Sequence, residues 1–195
     1  ESGSRSLLNQ KEIEVQCSKP FKPKFASEVS SGASSIGRGY DLLYLTPNCF
    51  NTVAGYNLYG GDLILVDFGT ATTFDVVDTD GAYVGGAIAP GVNLSLQALH
   101  EAAAALPHVD IAKPQQVVGA NTVACMQSGV FWGYIGLVRE ICTRIKAERA
   151  RPMKIIATGG LAPLFQQSDV LFDTVDDTLT MHGLTVVHNY NTGKS

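Results

Sequence analysis

Hydrophobic positions cluster most tightly between residues 62 and 77. Leu63, Ile64, Leu65 and Val66 form an unbroken apolar run that stops at Asp67 and Gly69, and alternation resumes in Phe74, Val76 and Val77. This pattern predicts a strand, a tight turn and a second strand, a hairpin with a polar tip. Upstream, residues 40–45 predict a short strand, and Pro47 opens a helix over 48–59 with Phe50, Val53, Ala54 and Leu58 at helical spacing and Gly60-Gly61 as its stop. Downstream, an Asp80-Gly81 turn leads into a third strand over 82–88. The Ala- and Leu-rich residues 93–106 predict a helix, with Asn93 as N-cap and Pro107 as terminator.

A longer helix is predicted from Asn121 and Thr122 toward Ala150. Val123, Met126, Val130, Trp132, Ile135, Val138, Ile141, Cys142 and Ile145 form its broad apolar stripe, and its charges gather from Arg139 onward, with Arg144 and Glu148 at i,i+4 spacing. Gly129, Gly133 and Gly136 lay a smooth strip along it that admits a close neighbour, by core packing or at a dimer seam. A buried strand over 153–157 ends in Thr158-Gly159-Gly160 before a short helix at 161–165; a strand over 170–175 and a helix over 179–189 follow. Residues 1–39 show no sustained period of 2 or 3.6 and are rich in Ser, Lys and Pro. Residues 1–46 are therefore read as a divergent or disordered N-terminal segment, with Glu1 to Arg5 as a vector-derived leader, and residues 47–195 as the folded lobe.

Composition narrows the function classes. A chain of 195 residues, 45% hydrophobic and 16% charged, has the apolar content for one large or two small cores. A net charge of −4 without a basic tract excludes a general nucleic-acid or membrane-surface binder. No apolar window approaches bilayer length and no signal pattern opens the chain, which predicts a cytoplasmic protein. Cys17, Cys49, Cys125 and Cys142 are scattered, so reduced thiols are expected rather than a zinc site or disulfide framework. His100 and His108 have no partner at ligand or triad spacing and are read as ordinary surface or helix-end residues, while His182 and His188, on the last predicted helix, are read as structural.

The candidate chemistry lies at the hairpin tip. Gly69 leaves room for close backbone approach, and Thr70, Thr72 and Thr73 add hydroxyls to the surrounding N–H groups, a donor set suited to phosphate. Asp67 ends a buried strand, where a carboxylate has little structural reason to be and is placed to hold Mg²⁺ or its waters. Threonines that only cap the turn remain the alternative. The Gly85-to-Gly91 segment, with three glycines and a proline, demands either a backbone bend or a closely approaching partner. Strand, Gly159-Gly160 and helix together offer a crevice at a strand's carboxyl end, with space for a base or ribose. Neither G-x-x-x-x-G-K-[ST] nor G-x-G-x-x-G occurs, which disfavours ordinary P-loop and Rossmann sites.

The element order matches one lobe of the actin-like, ribonuclease-H-like ATPase fold, an α/β class with a mixed sheet and flanking helices. The strings Asp67-Phe68-Gly69-Thr70-Ala71-Thr72-Thr73-Phe74-Asp75, Gly85 to Gly91, Gly119-Ala120-Asn121-Thr122, Gln127-Ser128-Gly129 and Ala157 to Pro163 stand in the order of a type III pantothenate kinase. Leu179 to Leu184 is similar to that family's final helix. The resemblance spans residues 51–190, mainly the family's C-terminal lobe. It implies transfer of the ATP γ-phosphoryl group to the primary hydroxyl of pantothenate, the first step toward coenzyme A. Phosphate would meet Asp67, Gly69, Thr70, Ala71 and Thr72, with Asp67 also the metal-associated residue. Adenosine would meet Thr158, Gly159 and Gly160, and Thr122 would reach pantothenate across a dimer interface. The implied cofactors are ATP, Mg²⁺ and a monovalent cation, K⁺ or NH₄⁺; the implied assembly is a homodimer.

Two departures from the family pattern qualify that reading. Aligned on Asn51 to Ala54, Pro47 and Asn48 stand where the family carries its catalytic Asp and pantothenate-binding Arg. Proline cannot act as a base, and asparagine cannot clamp a carboxylate as arginine does. The other phosphate motif, Asp-x-Gly-Asn-[Thr/Ser], is not in the sequence. The catalytic base is left unassigned, with Asp41 and Asp75 the remaining carboxylates and Arg38 the nearby arginine. Impaired activity is the expectation, and a non-catalytic regulatory or assembly relative, as the family's accessory-factor members suggest, is the second reading.

Overall fold

The computed structural model describes residues 47–103, 106–166 and 171–192. Helix α1 (Pro47–Tyr59) precedes strands β1 (Leu63–Phe68), β2 (Ala71–Val77) and β3 (Tyr83–Pro90). Helices α2 (Val92–Ala102) and α3 (Thr122–Arg149) come next, then strand β4 (Lys154–Thr158), helix α4 (Ala162–Gln166), strand β5 (Thr174–Val175) and helix α5 (Leu179–Thr192). One five-stranded sheet has the order β3-β2-β1-β4-β5. The first three strands form an antiparallel meander, while β4 joins β1, and β5 joins β4, in parallel. The mixed sheet with flanking helices agrees with the α/β class read from the sequence.

The sheet has a helical layer on each face, which explains why Leu63 to Val66 is apolar without interruption: β1 is the central strand and buries both faces. Ile64, Val66, Phe68, Phe74 and Val76 lie under Val92 of α2, Phe131, Ile135 and Val138 of α3, and Phe165 of α4. Leu63, Leu65, Val77 and Ile156 lie under Ala54 of α1 and Leu179 of α5. A Cβ on Gly183 would collide with the Phe50 carbonyl, and one on Gly55 would stand 2.9 Å from Leu65 Cδ2. These two glycines let α1 lie close to both α5 and the sheet.

Element bounds differ from the sequence-based expectation where tertiary contact overrides local signal. β3 runs to Pro90, and α2 starts at Val92 with Gly91, not Asn93, at its N-cap and no side-chain cap bond. A Cβ on Gly91 would strike the Thr70 carbonyl, so the chain turns into α2 directly beneath the hairpin tip. α2 ends at Ala102, short of the predicted 106. The long helix is as predicted: Asn121 Oδ1 accepts from Ala124 N at 2.9 Å, and Ala150 ends it with a φ of 51°. Arg144 pairs with Glu140 at 2.7 Å, one turn before Glu148. Added Cβ atoms on Gly129, Gly133 and Gly136 would meet nothing within 4 Å, so no described part of this chain packs on that strip.

Cys125 and Cys142 are free thiols. The predicted strand at 40–45, the N-terminal segment and Cys17 lie outside the described residues, and β5 is limited to Thr174–Val175. Among the described residues no helix is long and apolar enough to cross a membrane.

Candidate phosphate and nucleotide site

Asp67 is the penultimate residue of β1, with Thr73 of β2 and Thr158 of β4 as its register partners. Its side chain faces the α1 layer. Asn51, fully buried on α1, donates Nδ2 to Asp67 Oδ2 at 2.9 Å and accepts from Thr180 Oγ1 at 2.6 Å. The other carboxylate oxygen lies against two glycines: Oδ1 would be 3.7 Å from a Cβ on Gly69 and 2.6 Å from one on Gly159. Gly159 also holds a φ of +91°, the left-handed region that favours glycine. The hairpin tip and the Thr-Gly-Gly segment, distant in sequence, thus share one carboxylate as neighbour.

A second carboxylate adjoins it. Asp75 is 2% exposed on the same face of the sheet, accepting from Thr73 Oγ1 at 3.2 Å and Asn48 Nδ2 at 3.4 Å. Burial pushes its carboxyl up to about 6, opposed by the Thr73 hydrogen bond and reinforced by the charge of Asp67. Burial also holds Asp67 above the ordinary carboxylate range, against the Asn51 hydrogen bond. No Lys or Arg pairs with either carboxylate among the described residues. Two desolvated carboxylates without an ion-pair partner fit a hard divalent cation that keeps waters and takes its other ligands from phosphate. No cluster of three or more metal-ligating side chains occurs among the described residues, so a closed protein cage is absent there.

The remaining predicted residues distribute unevenly about this centre. Gly69 and Thr70 form the exposed tip, and Ala71 is half-buried beside them. Thr72 is fully buried on the opposite, α3-covered face, and its hydroxyl has no hydrogen bond among the described residues. Only its backbone belongs to the tip. Thr158 is buried, while Gly160 is exposed with open space around it. Thr122 is exposed at the first position of α3 and makes no hydrogen bond to Asp67 or Asp75 among the described residues. Sequence reasoning missed Asn51 and Thr180. The available signal was Asn51 itself, one amide beside Phe50, Val53 and Ala54 on the helix face that is buried.

Residues 48–144 match the family model for type III pantothenate kinase. A type III pantothenate kinase of Roseobacter denitrificans is 81% identical over 141 residues, 72% of this chain and 55% of the relative. One of Ruegeria sp. strain TM1040 is 77% identical over 141 residues, covering 54% of that protein. The chain belongs to the type III pantothenate kinase family. It spans about half the length of these relatives. A solved Campylobacter jejuni structure described as a Baf family transcriptional activator superposes with a TM-score of 0.51 at 22% identity, over 72% of this chain and 63% of that one. That likeness is one of fold. In this chain the region matched by the family model begins at Asn48, within the Pro47–Asn48 departure, and contains the whole Asp67–Asp75 hairpin.

Proposed function

We propose that this chain is the phosphate- and adenosine-binding lobe of a cytoplasmic type III pantothenate kinase. Its reaction is transfer of the ATP γ-phosphoryl group to the primary hydroxyl of pantothenate. The observation that carries the reading is the Asp67 carboxylate, against which Gly69 of the tip and Gly159 of the second segment both lie. A nucleotide whose phosphates meet the tip and whose adenosine meets Thr158, Gly159 and Gly160 would pass directly by it. The N-terminus of α2 adds donors there, since Gly91 lies against Thr70 and no side chain caps the first-turn N–H groups.

Phosphoryl transfer asks for positioning and charge neutralisation more than for covalent help. Backbone N–H groups of the tip would orient the phosphates, and Asn51, held by Thr180, fixes the Asp67 carboxylate. Asp67 and Asp75 would hold Mg²⁺, which supplies neutralisation of charge on the phosphate oxygens when bound. The monovalent cation implied by the resemblance is assigned no residue and enters no step. Thr122 is assigned to pantothenate, reached from a second copy in a homodimer. Asp75 is too deeply buried to meet a substrate hydroxyl directly, and the base is not among the residues assigned. Pro47 and Asn48 favour the second reading at this one point, a nucleotide-binding relative without turnover.

Calorimetry with ATP and Mg²⁺ tests the carboxylate. We expect measurable binding by the wild type and a loss of about tenfold or more in Asp67→Asn. Equal heats from the two proteins would remove Asp67 from the site.

A further inference from the structure

Helix α1 and the start of α5 meet beside Asp67. Asn51 is fully buried there, and each polar end of its amide has one partner: Nδ2 donates to Asp67 Oδ2 at 2.9 Å, and Oδ1 accepts from Thr180 Oγ1 at 2.6 Å. An ionised carboxylate only accepts, so the amide must show it nitrogen, and the amide oxygen left over needs a donor. Thr180 supplies that donor from a helix 129 positions away. Packing fixes its place, since Gly183 lies so close to the Phe50 carbonyl that a Cβ there would collide. Farther along α1, the Tyr59 hydroxyl donates to Asp176 Oδ2 at 2.9 Å, and Asp176 Oδ1 accepts from Thr178 N at 3.0 Å just before α5. This second tie joins the same two helices without a hydrogen bond to Asp67.

We propose that Thr180 is a positioning residue of the phosphate site: through the Asn51 amide it holds Asp67 so that Oδ1 alone faces the metal and nucleotide. The inference rests on the reading of Asp67 as metal-associated, and adds which of its oxygens and which distant hydroxyl serve that role. Oδ2 is occupied by Asn51, whereas Oδ1 lies toward Gly69 and Gly159, where added Cβ atoms would stand 3.7 and 2.6 Å from it. No other side-chain donor reaches Asp67 among the described residues, so one amide sets the rotation of the carboxylate. Ligating carboxylates are hydrogen-bonded in turn, and such outer partners are worth about 10–100-fold in metal affinity. Removing the Thr180 hydroxyl leaves the buried Asn51 oxygen without a donor, and an amide that turns to find one takes Nδ2 away from Asp67. Valine keeps the shape of threonine without the hydroxyl; serine keeps the hydroxyl.

The test is calorimetry with ATP and Mg²⁺ on the full chain, beside thermal unfolding. Thr180→Val is expected to weaken ATP·Mg²⁺ binding about tenfold or more, and Thr180→Ser to retain it. Tyr59→Phe, which cuts the other tie between the helices, should lower the unfolding temperature and leave the affinity unchanged. In an Asp67→Asn background Thr180→Val should have no further effect on binding, because its influence runs through that carboxylate. The Asn51 side-chain amide gives a readout without nucleotide: its protons should be protected from exchange in the wild type and in Thr180→Ser, and lose that protection in Thr180→Val. Wild-type affinity in Thr180→Val, with Asp67→Asn still weakened, would overturn the positioning role alone. So would an affinity loss in Tyr59→Phe equal to that of Thr180→Val, or an unchanged Asn51 amide in Thr180→Val. Equal heats from the wild type and Asp67→Asn would instead overturn the reading of the site, and the role of Thr180 with it.

Discussion

At Asp75 the fold disfavours an ionised carboxylate and accepts a neutral one. Its folded-state value of about 6 stands above the ordinary 3.8, so the stability it contributes is complete below pH 3.8 and is lost as pH rises through 6. Asp75→Asn keeps the shape without the charge. It is expected to raise the unfolding free energy at pH 8 by at most about 3 kcal/mol, with the gain vanishing near pH 4. Urea unfolding of both proteins with EDTA checks this, and a variant no more stable than the wild type at pH 8 would contradict the burial argument. Asp67 was legible in the sequence because it interrupts an apolar run. Asn51 was not, because its meaning depends on Thr180, 129 positions away, which arrives only with α5. Thr72 was legible as part of the string but not as buried, since strand alternation sends Thr72 and Thr73 to opposite faces.

Among the elements, the order of strands and helices could be read from periodicity, and the deviations sit where backbones touch. Gly86 passes against the Phe74 carbonyl and Gly91 against that of Thr70; neither contact leaves a local mark beyond the glycine itself. That is why the α2 start was placed two residues late, on Asn93. The turn after β4 makes the sharpest demand. Gly159→Ala would force a Cβ to 2.6 Å from Asp67 Oδ1 at a φ of +91°, which should cost about 1–3 kcal/mol of stability and displace the carboxylate. Gly160→Ala meets open space and should stay within about 0.5 kcal/mol of wild type. Thermal unfolding and ATP calorimetry on the pair separate the two roles: Gly159→Ala should lose both stability and binding, Gly160→Ala binding alone.

For the whole molecule, the outward strip of α3 is the feature that the described residues leave uncovered. Replacing Gly129, Gly133 and Gly136 together with alanine should stabilise an isolated protomer by roughly 0.8–1.0 kcal/mol per site through helix propensity. If the strip seats a second copy, light scattering should show the same triple variant dimerising more weakly; a wild type that is monomeric at high concentration would end the homodimer proposal. Turnover is the other test at this scale. With proline and asparagine at positions 47 and 48, pantothenate phosphorylation by this chain is expected at least about 10²-fold below a full-length relative in a coupled ADP-release assay with Mg²⁺ and K⁺. A rate within about tenfold of that control would return the base assignment to Asp41. The parallel pairing of β1 with β4 reaches further, into the order of assembly. The β1–β2 hairpin closes locally and early, on a microsecond scale. Asp67 gains Gly159 as neighbour only after the 28-residue α3 has formed and β4 has docked beyond it. Nucleotide affinity should therefore emerge late in refolding, and a nascent chain with residues 154–160 still inside the ribosome would present the whole hairpin yet be unable to hold ATP.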